Sequence, residues 1–212
     1  EYFLLNNPNK KVKVGPSESM SKSKKNTIDP EIMINQYGAD AVRFFILSDS
    51  PPEKDVQWSD EGMISSFKFI QKFWSLNEKI VQITELESSS NNLELDIFTN
   101  RAINKIDQAL EKFRYNIIIA TYHEIYSFFN KIVNLKKNFR NLKDNFEKIL
   151  IILSPVIPHI SNECLDRLNY QNNVKWPDVS KENLEDEKIV LVIQINGKKK
   201  YTIEVEKDIN EE

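Results

Sequence analysis

Residues 117–132, Ile117-Ile118-Ile119-Ala120-Thr121-Tyr122-His123-Glu124-Ile125-Tyr126-Ser127-Phe128-Phe129-Asn130-Lys131-Ile132, decide the fold class. Ile118, Tyr122, Ile125, Phe129 and Ile132 recur at steps of three and four, the spacing that lines one face of an α-helix with apolar side chains. Working upstream, Arg114-Tyr115-Asn116 separates this helix from one in which Ala102, Ile106, Ala109 and Phe113 repeat at the same spacing. The polar break Ser88-Ser89-Ser90-Asn91-Asn92 precedes that helix. Before the break, residues 59–83 set Met63, Phe67, Ile70 and Trp74 on one stripe, with Ser59 or Asp60 as the helix cap. Downstream, a fourth helix is expected from about Asp144 to Leu153, after which Pro155 and Pro158 interrupt the chain ahead of Ile160–Leu168. Consecutive amphipathic helices bury their stripes most simply against one another, so residues 51–180 are expected to form a helical bundle that folds without the flanking residues.

The flanks read differently. Tyr2–Leu5 and Lys11–Val14 are expected to be short strands joined through Asn6-Asn7-Pro8-Asn9 and closed by Gly15-Pro16. Asp29-Pro30 starts a helix that runs to about Gly38, and Asp40 is placed to cap a second, whose apolar face is Val42, Phe45 and Ile46 and which ends before Pro51-Pro52. At the other end, Ile189, Leu191, Ile193 and Ile195 alternate with Val190, Val192 and Gln194, then Asn196-Gly197 leads into Tyr201, Ile203 and Val205. That pattern is a β-hairpin, marginal alone in water. The fold class is therefore mainly α, in three parts: residues 1–50, 51–180 and 181–212.

Bulk properties narrow the function. With 212 residues and 40% hydrophobic content the chain can bury a core, and 4 glycines against 29% charged residues favour helix over a glycine-rich barrel. A single cysteine, Cys164, excludes an internal disulfide and a multi-cysteine zinc site, which fits a reducing cytoplasm, and His123 and His159 add no metal spacing. No apolar run is long enough to span a bilayer, and Glu1-Tyr2-Phe3-Leu4-Leu5 lacks the basic flank of a signal peptide. The absent initiator methionine is expected of a processed chain or of the later part of a longer polypeptide. A net charge of -3 argues against wholesale coating of nucleic acid, yet residues 131–148 carry a local excess of +4, which a solvated helical face explains equally well.

Ser19-Met20-Ser21-Lys22-Ser23-Lys24-Lys25-Asn26, with Ile28-Asp29-Pro30 and Tyr37-Gly38-Ala39-Asp40-Ala41-Val42-Arg43 behind it, carries the chemistry. Small hydroxylated residues around a lysine make a loop that can bend over a triphosphate and bring an ammonium to it. This stretch resembles the mobile KMSKS loop of class I aminoacyl-tRNA synthetases. Further blocks in the same order resemble the leucyl-tRNA synthetase family: residues 51–62 its junction, Phe113-Arg114-Tyr115-Asn116 and residues 153–160 its helical-domain signatures, Trp176-Pro177 the exit from them, and residues 192–198 the first hairpin of its small C-terminal domain. The last block favours leucine over isoleucine, valine or methionine.

The resemblance implies that residues 1–50 are the edge of a catalytic core, 51–180 a helical anticodon-binding domain and 181–212 the start of a truncated C-terminal α/β domain. It implies leucine–tRNA ligase activity for the complete enzyme, with ATP, leucine and tRNA(Leu) as ligands, Mg2+ accompanying ATP, a monomeric state and a cytoplasmic location. Lys22 would bind ATP phosphates and act in catalysis, while Met20, Ser21 and Ser23 shape the ATP-binding loop. Lys68, Lys72 and Arg114 would contact tRNA, chiefly its phosphates and ribose. The sequence departs from the family at Ser19, where the first lysine of the signature usually stands; Lys24 or Lys25 is placed to replace it. A HIGH-type motif, a nucleotide-binding sheet and an editing domain are all missing, so this chain alone is expected to be inactive. The alternatives are a stand-alone, non-catalytic tRNA-binding module derived from a synthetase, a ligase for another branched-chain amino acid, and a purely structural helical protein.

Overall fold

The computed structural model describes residues 2–48, 53–180, 188–195 and 198–206. Four helices form the bundle: α3 (Asp60–Thr84), α4 (Leu93–Glu111), α5 (Tyr115–Asn134) and α6 (Leu142–Leu153), numbered after the two short helices α1 (Pro30–Tyr37) and α2 (Ala39–Ser48) that precede them. A further helix, α7 (Pro158–Arg167), closes one side. The expected stripe of α5 is buried throughout, with Tyr122, Ile125 and Phe129 fully enclosed. Tyr122 donates its hydroxyl to the carbonyls of Ile152 and Leu153 at 3.2 and 3.0 Å, satisfying two of the acceptors left open where α6 ends. Phe129 and Phe73 both pack their rings against Phe146, which ties α3, α5 and α6 into one core.

Three details differ from the periodicity reading. On α3 Met63 of the expected stripe is fully buried, but the rest of the buried face is Phe69, Phe73, Leu76 and Ile80, whereas Phe67, Ile70 and Trp74 are half-buried. Phe67 and Ile70 serve a second, smaller core made by Ala41, Phe45 and Met63, and Trp74 lies under the Arg167 guanidinium at 5.5 Å. A helix packed on several sides has more than one apolar stripe, and spacing does not say which is deeper. Phe113 leaves its stripe altogether: it is 62% exposed with φ +52°. There α4 ends in a left-handed closure, the Arg114 amide donating to the Ala109 carbonyl at 2.8 Å, so the chain turns before Phe113 reaches the core. Tyr115 and Asn116 belong to α5 rather than to the connection.

The N-terminal strands are β1 (Tyr2–Leu4) and β2 (Asn7–Val12), antiparallel, with Tyr2 opposite Val12 and a bulge before Leu4 meets Asn7. The second strand thus starts four residues earlier than expected and includes Pro8, which an exposed edge tolerates. Asp29 caps α1 by accepting from the Glu31 amide at 2.9 Å, and Gly38 ends it at φ +83°, a conformation costly for other residues.

Asp40 does not cap α2. It lies in that helix's first turn and reaches instead to the start of α7, accepting from the Ile160 amide at 2.7 Å and the His159 amide at 3.4 Å, with His159 Nδ1 2.8 Å from the same carboxylate. One turn on, Arg43 donates to the Val156 and Pro155 carbonyls, both at 2.8 Å. Two of the motif-bearing blocks are therefore partners: α2 holds both sides of the α6–α7 corner. Ala41, Phe44 and Phe45 are the buried face of α2, while Ile46 is half exposed.

Pro158 opens α7 at its first position, where a missing amide costs nothing. From Asn169 the chain straps back over α4: Trp176 donates its indole N–H to Asp107 at 2.7 Å and the Ser180 amide donates to Asn100 at 2.8 Å. A two-residue parallel pairing, β3 (Ser88–Ser89) with β4 (Asn138–Phe139), joins the loops at the far end of the bundle. The C-terminal hairpin is β5 (Lys188–Ile195) against β6 (Lys198–Glu206), in a register that sets Ile189 opposite Val205. Its Asn196-Gly197 turn and the Pro51-Pro52 stop lie outside the described residues. Among the described residues no helix is long and apolar enough to cross a membrane.

Candidate phosphate loop and nucleic-acid interface

The segment between β2 and α1 has no regular structure beyond one turn, and the Asn26 side chain holds that turn together. Its Oδ1 accepts from the Ser21 amide at 2.9 Å and its amide nitrogen donates to the Ser19 carbonyl at 3.4 Å. Ser21 and Ser23 share a hydroxyl contact at 3.1 Å, and the Lys24 and Lys25 amides return to Ser21 and Lys22 at 3.2 Å. The backbone is thereby folded around Lys22, whose side chain is left in solvent beside an exposed Met20. Lys24 is engaged with Glu18 at 2.9 Å, so of the two lysines suited to replace the one absent at Ser19, Lys25 keeps the freer charge. Lys25 takes φ +53°, which closes the turn. Residues 19–26 therefore come together in one loop, as their spacing implies, and Asn26 is the part that motif reading missed.

On the bundle, Lys68 and Lys72 project from α3 into a groove of about 230 Å3 whose other wall is α5. Lys79, Gln71 and Ser75 extend the α3 side, and Tyr126 and Asn130 supply the α5 side. Among the described residues no acidic side chain lines this groove. His123, its ring edge-on to Phe44 and Phe69, sits next along α5; burial, and then the Lys72 charge, lower its pKa from the usual histidine value. The signal for the missed residues was present in part: Lys79 follows Lys72 at seven residues, the same helical face. Nothing in the spacing of α5 said that Tyr126 and Asn130 would lie across from it.

Arg114 is not in the groove. It occupies the N-cap of α5, where its carbonyl accepts from the Ile117 and Ile118 amides and its side chain caps nothing, and the first turn of α5 carries no acidic residue. The basic run 131–148 is partly neutralised within α6, Lys148 pairing with Asp144 at 2.7 Å and Lys143 with Glu147 at 3.7 Å. Cys164 is buried, its thiol pushed up to about 12, which removes it from nucleophilic chemistry. Among the described residues no group of three or more His, Cys, Asp or Glu is placed to hold a metal ion.

An exposed, hydroxyl-rich lysine loop is thus joined through α1 and α2 to a helical bundle that carries a lysine-lined groove. Residues 12–59 match the family model for class I tRNA synthetases of the I, L, M and V type, and residues 92–212 match that for the anticodon-binding domain of tRNA ligase. The chain belongs to this tRNA-ligase anticodon-binding family, and its relatives are leucine–tRNA ligases. It is 35% identical to the leucine–tRNA ligase of Hyphomonas neptunium over 209 residues, covering 94% of this chain, and 35% identical to that of Cereibacter sphaeroides (strain ATCC 17025), covering 97%. In each case the chain spans 24% of the relative's length. The structure superposes with a TM-score of 0.74 on a crystal structure of the ternary complex of Agrobacterium radiobacter K84 agnB2 LeuRS, tRNA and LeuAMS, at 26% identity, covering 91% of this chain and 26% of that one.

Proposed function

We propose that this chain is the loop-and-bundle portion of a leucine–tRNA ligase, the enzyme that activates leucine with ATP and transfers it to tRNA(Leu). In this reading residues 1–50 edge the catalytic core, 51–180 bind tRNA and 181–212 begin a small C-terminal domain, in a monomeric cytoplasmic enzyme. The observation that carries it is the position of Lys22: exposed on a turn pre-shaped by Asn26, and followed directly by the helices whose Asp40 and Arg43 grip the bundle.

Lys22 would meet the ATP phosphates as leucine's carboxylate attacks the α-phosphorus. Its ammonium gains most as charge builds on the departing pyrophosphate, so it lowers the barrier more than it tightens ATP. Met20, Ser21 and Ser23 give the loop its shape and its hydroxyl and amide donors. Mg2+ bound to ATP supplies further neutralisation of the phosphates. Lys68 and Lys72 in the groove and Arg114 at the α5 start would hold tRNA phosphates, in contacts that weaken as salt rises.

The test is leucine-dependent pyrophosphate exchange by the complete enzyme. Lys22→Ala should slow it by about a hundredfold or more, and Ser19→Ala should change it little. Small and equal effects would remove Lys22 from the reaction. Ser19 in place of a lysine favours a second reading, a non-catalytic tRNA-binding module, which predicts tRNA binding with no exchange activity in the whole gene product.

A further inference from the structure

Between α1 and α2 the chain passes from one helix to the next within a single residue. The Gly38 amide donates to the Ile34 carbonyl at 2.8 Å, closing α1, and the Gly38 carbonyl accepts from the Val42 amide at 3.3 Å, opening α2. Gly38 lies at φ +83° and ψ +153°, a backbone region that residues with a Cβ scarcely enter. Among the described residues it is the one glycine with positive φ. A Cβ at this position would meet no atom within 4 Å. Glycine is therefore needed here for the angle between the helices and not for room.

The two helices are held differently. α2 buries Asp40, Ala41, Phe44 and Phe45 and is fixed to the α6–α7 corner by the Asp40 and Arg43 bonds, whereas α1 buries no residue. Core packing thus fixes α2, and the Gly38 backbone sets where α1 points from it. The far end of α1 is capped by Asp29, three residues past the Asn26 that folds the lysine loop. Over the 8 residues of α1, about 12 Å of helix, a turn of about 10° at Gly38 shifts that loop by about 2 Å. Misplacing a reacting group by about 1 Å can slow a reaction about a hundredfold. We infer that Gly38 is a positioning residue for the phosphate chemistry at Lys22, an elbow that stands on the bundle and aims the loop. The inference rests on the Lys22 reading above and deepens it by naming what orients that lysine.

The experiment is leucine-dependent pyrophosphate exchange by the complete enzyme carrying Gly38→Ala, Lys22→Ala or both, with the thermal melting of each. Gly38→Ala should lower kcat about tenfold or more. The KM for ATP should change less, because Lys22 acts on the departing charge more than on bound ATP. In the Lys22→Ala background Gly38→Ala should slow exchange no further, since changes that act through one group do not add. Gly15→Ala, also in open space but without positive φ and outside the Ser19–Asn26 turn, should leave exchange unchanged. Arg43→Gln frees the base of α2 while keeping Gly38, and should lower kcat by a smaller factor, again only where Lys22 is present. It carries the same comparison if Gly38→Ala melts below the assay temperature. Wild-type kcat in a folded Gly38→Ala enzyme would overturn the elbow, as would an equal fall with and without Lys22, which a loss of folded enzyme would give. Both results leave the Lys22 reading in place. No effect of Lys22→Ala by itself would overturn that reading and this inference together.

Discussion

The bundle and the arm before it both carry large apolar side chains, yet only the bundle buries them. From Tyr2 to Ala39 no residue is buried: Leu5 is fully exposed and Tyr2 is 67% exposed. In α3 and α5, by contrast, Phe73, Ile80, Ile125 and Phe129 have no exposure at all. Local propensity is comparable in the two regions; what differs is the supply of neighbours. A helix of 20 residues in α5 meets α2, α3 and α4, whereas a two-stranded hairpin has two faces and no layer to set against either. The change comes at Asp40, where the chain first enters the core through α2.

Truncation tests that contrast most strongly. Removing residues 1–28 should leave thermal unfolding of the bundle nearly unchanged, whereas removing residues 1–50 strips Ala41, Phe44 and Phe45 from the core together with the Asp40 and Arg43 contacts. Each large buried side chain lost costs about 3 kcal/mol or more, so the more deeply truncated chain should melt far lower or lose its cooperative transition. Equal melting of the two would mean that the division lies at residue 50 and that α2 is dispensable. Single substitutions give the same contrast on a smaller scale: Phe129→Ala should cost about 3–5 kcal/mol in chemical denaturation, and Phe3→Ala less than about 0.5 kcal/mol. A large effect at Phe3 would show that the arm has a cover of its own.

The corner where the two regions meet should give an intermediate effect. Asp40→Ala leaves the Ile160 and His159 amides without their acceptor inside a buried turn, a loss of about 1–3 kcal/mol. A value near zero would mean that water replaces the carboxylate at little cost. The smallest effect is expected from His123. Its folded-state pKa lies below the ordinary 6.5, so the unfolded chain takes up the proton first as pH falls. Stability should therefore decline as pH drops through about 6.5 and level off below the folded-state value, and His123→Gln should remove that part of the acid slope. An unchanged slope would place His123 in an environment that favours neither form.

Much of the helical architecture could be read from the chain. The α5 stripe, the Asp29 and Ser59 caps, the Pro30 start of α1 and the two hairpins each follow from residue type and spacing within a few positions, because the forces that set them are local. The misreadings fall where a choice depended on a distant element or on a local closure that residue spacing does not encode. Asp40 looks like an N-cap for its own helix because Asp commonly is one, and the competing partner, the start of α7, is 120 residues away. Phe113 fits its stripe by number, but the left-handed closure of α4 turns it out to solvent. The lysine–serine loop was legible as a sequence motif, and the Asn26 clasp within it was not, since an asparagine in a polar loop carries no signal of what it will bond.

The sequence by itself determined that this protein is mainly helical and, within a few positions, where most of its helices start and stop. Those properties depend on backbone propensity, capping and apolar periodicity within a few turns of chain. Tertiary structure alone decided which stripe of α3 lies deepest, that α2 grips the α6–α7 corner, and that lysines of α3 share a groove with Tyr126 and Asn130 of α5. Each of these is a juxtaposition of residues roughly 50 to 120 positions apart, fixed by the close packing of whole helices and by buried groups that must find partners wherever the chain brings them.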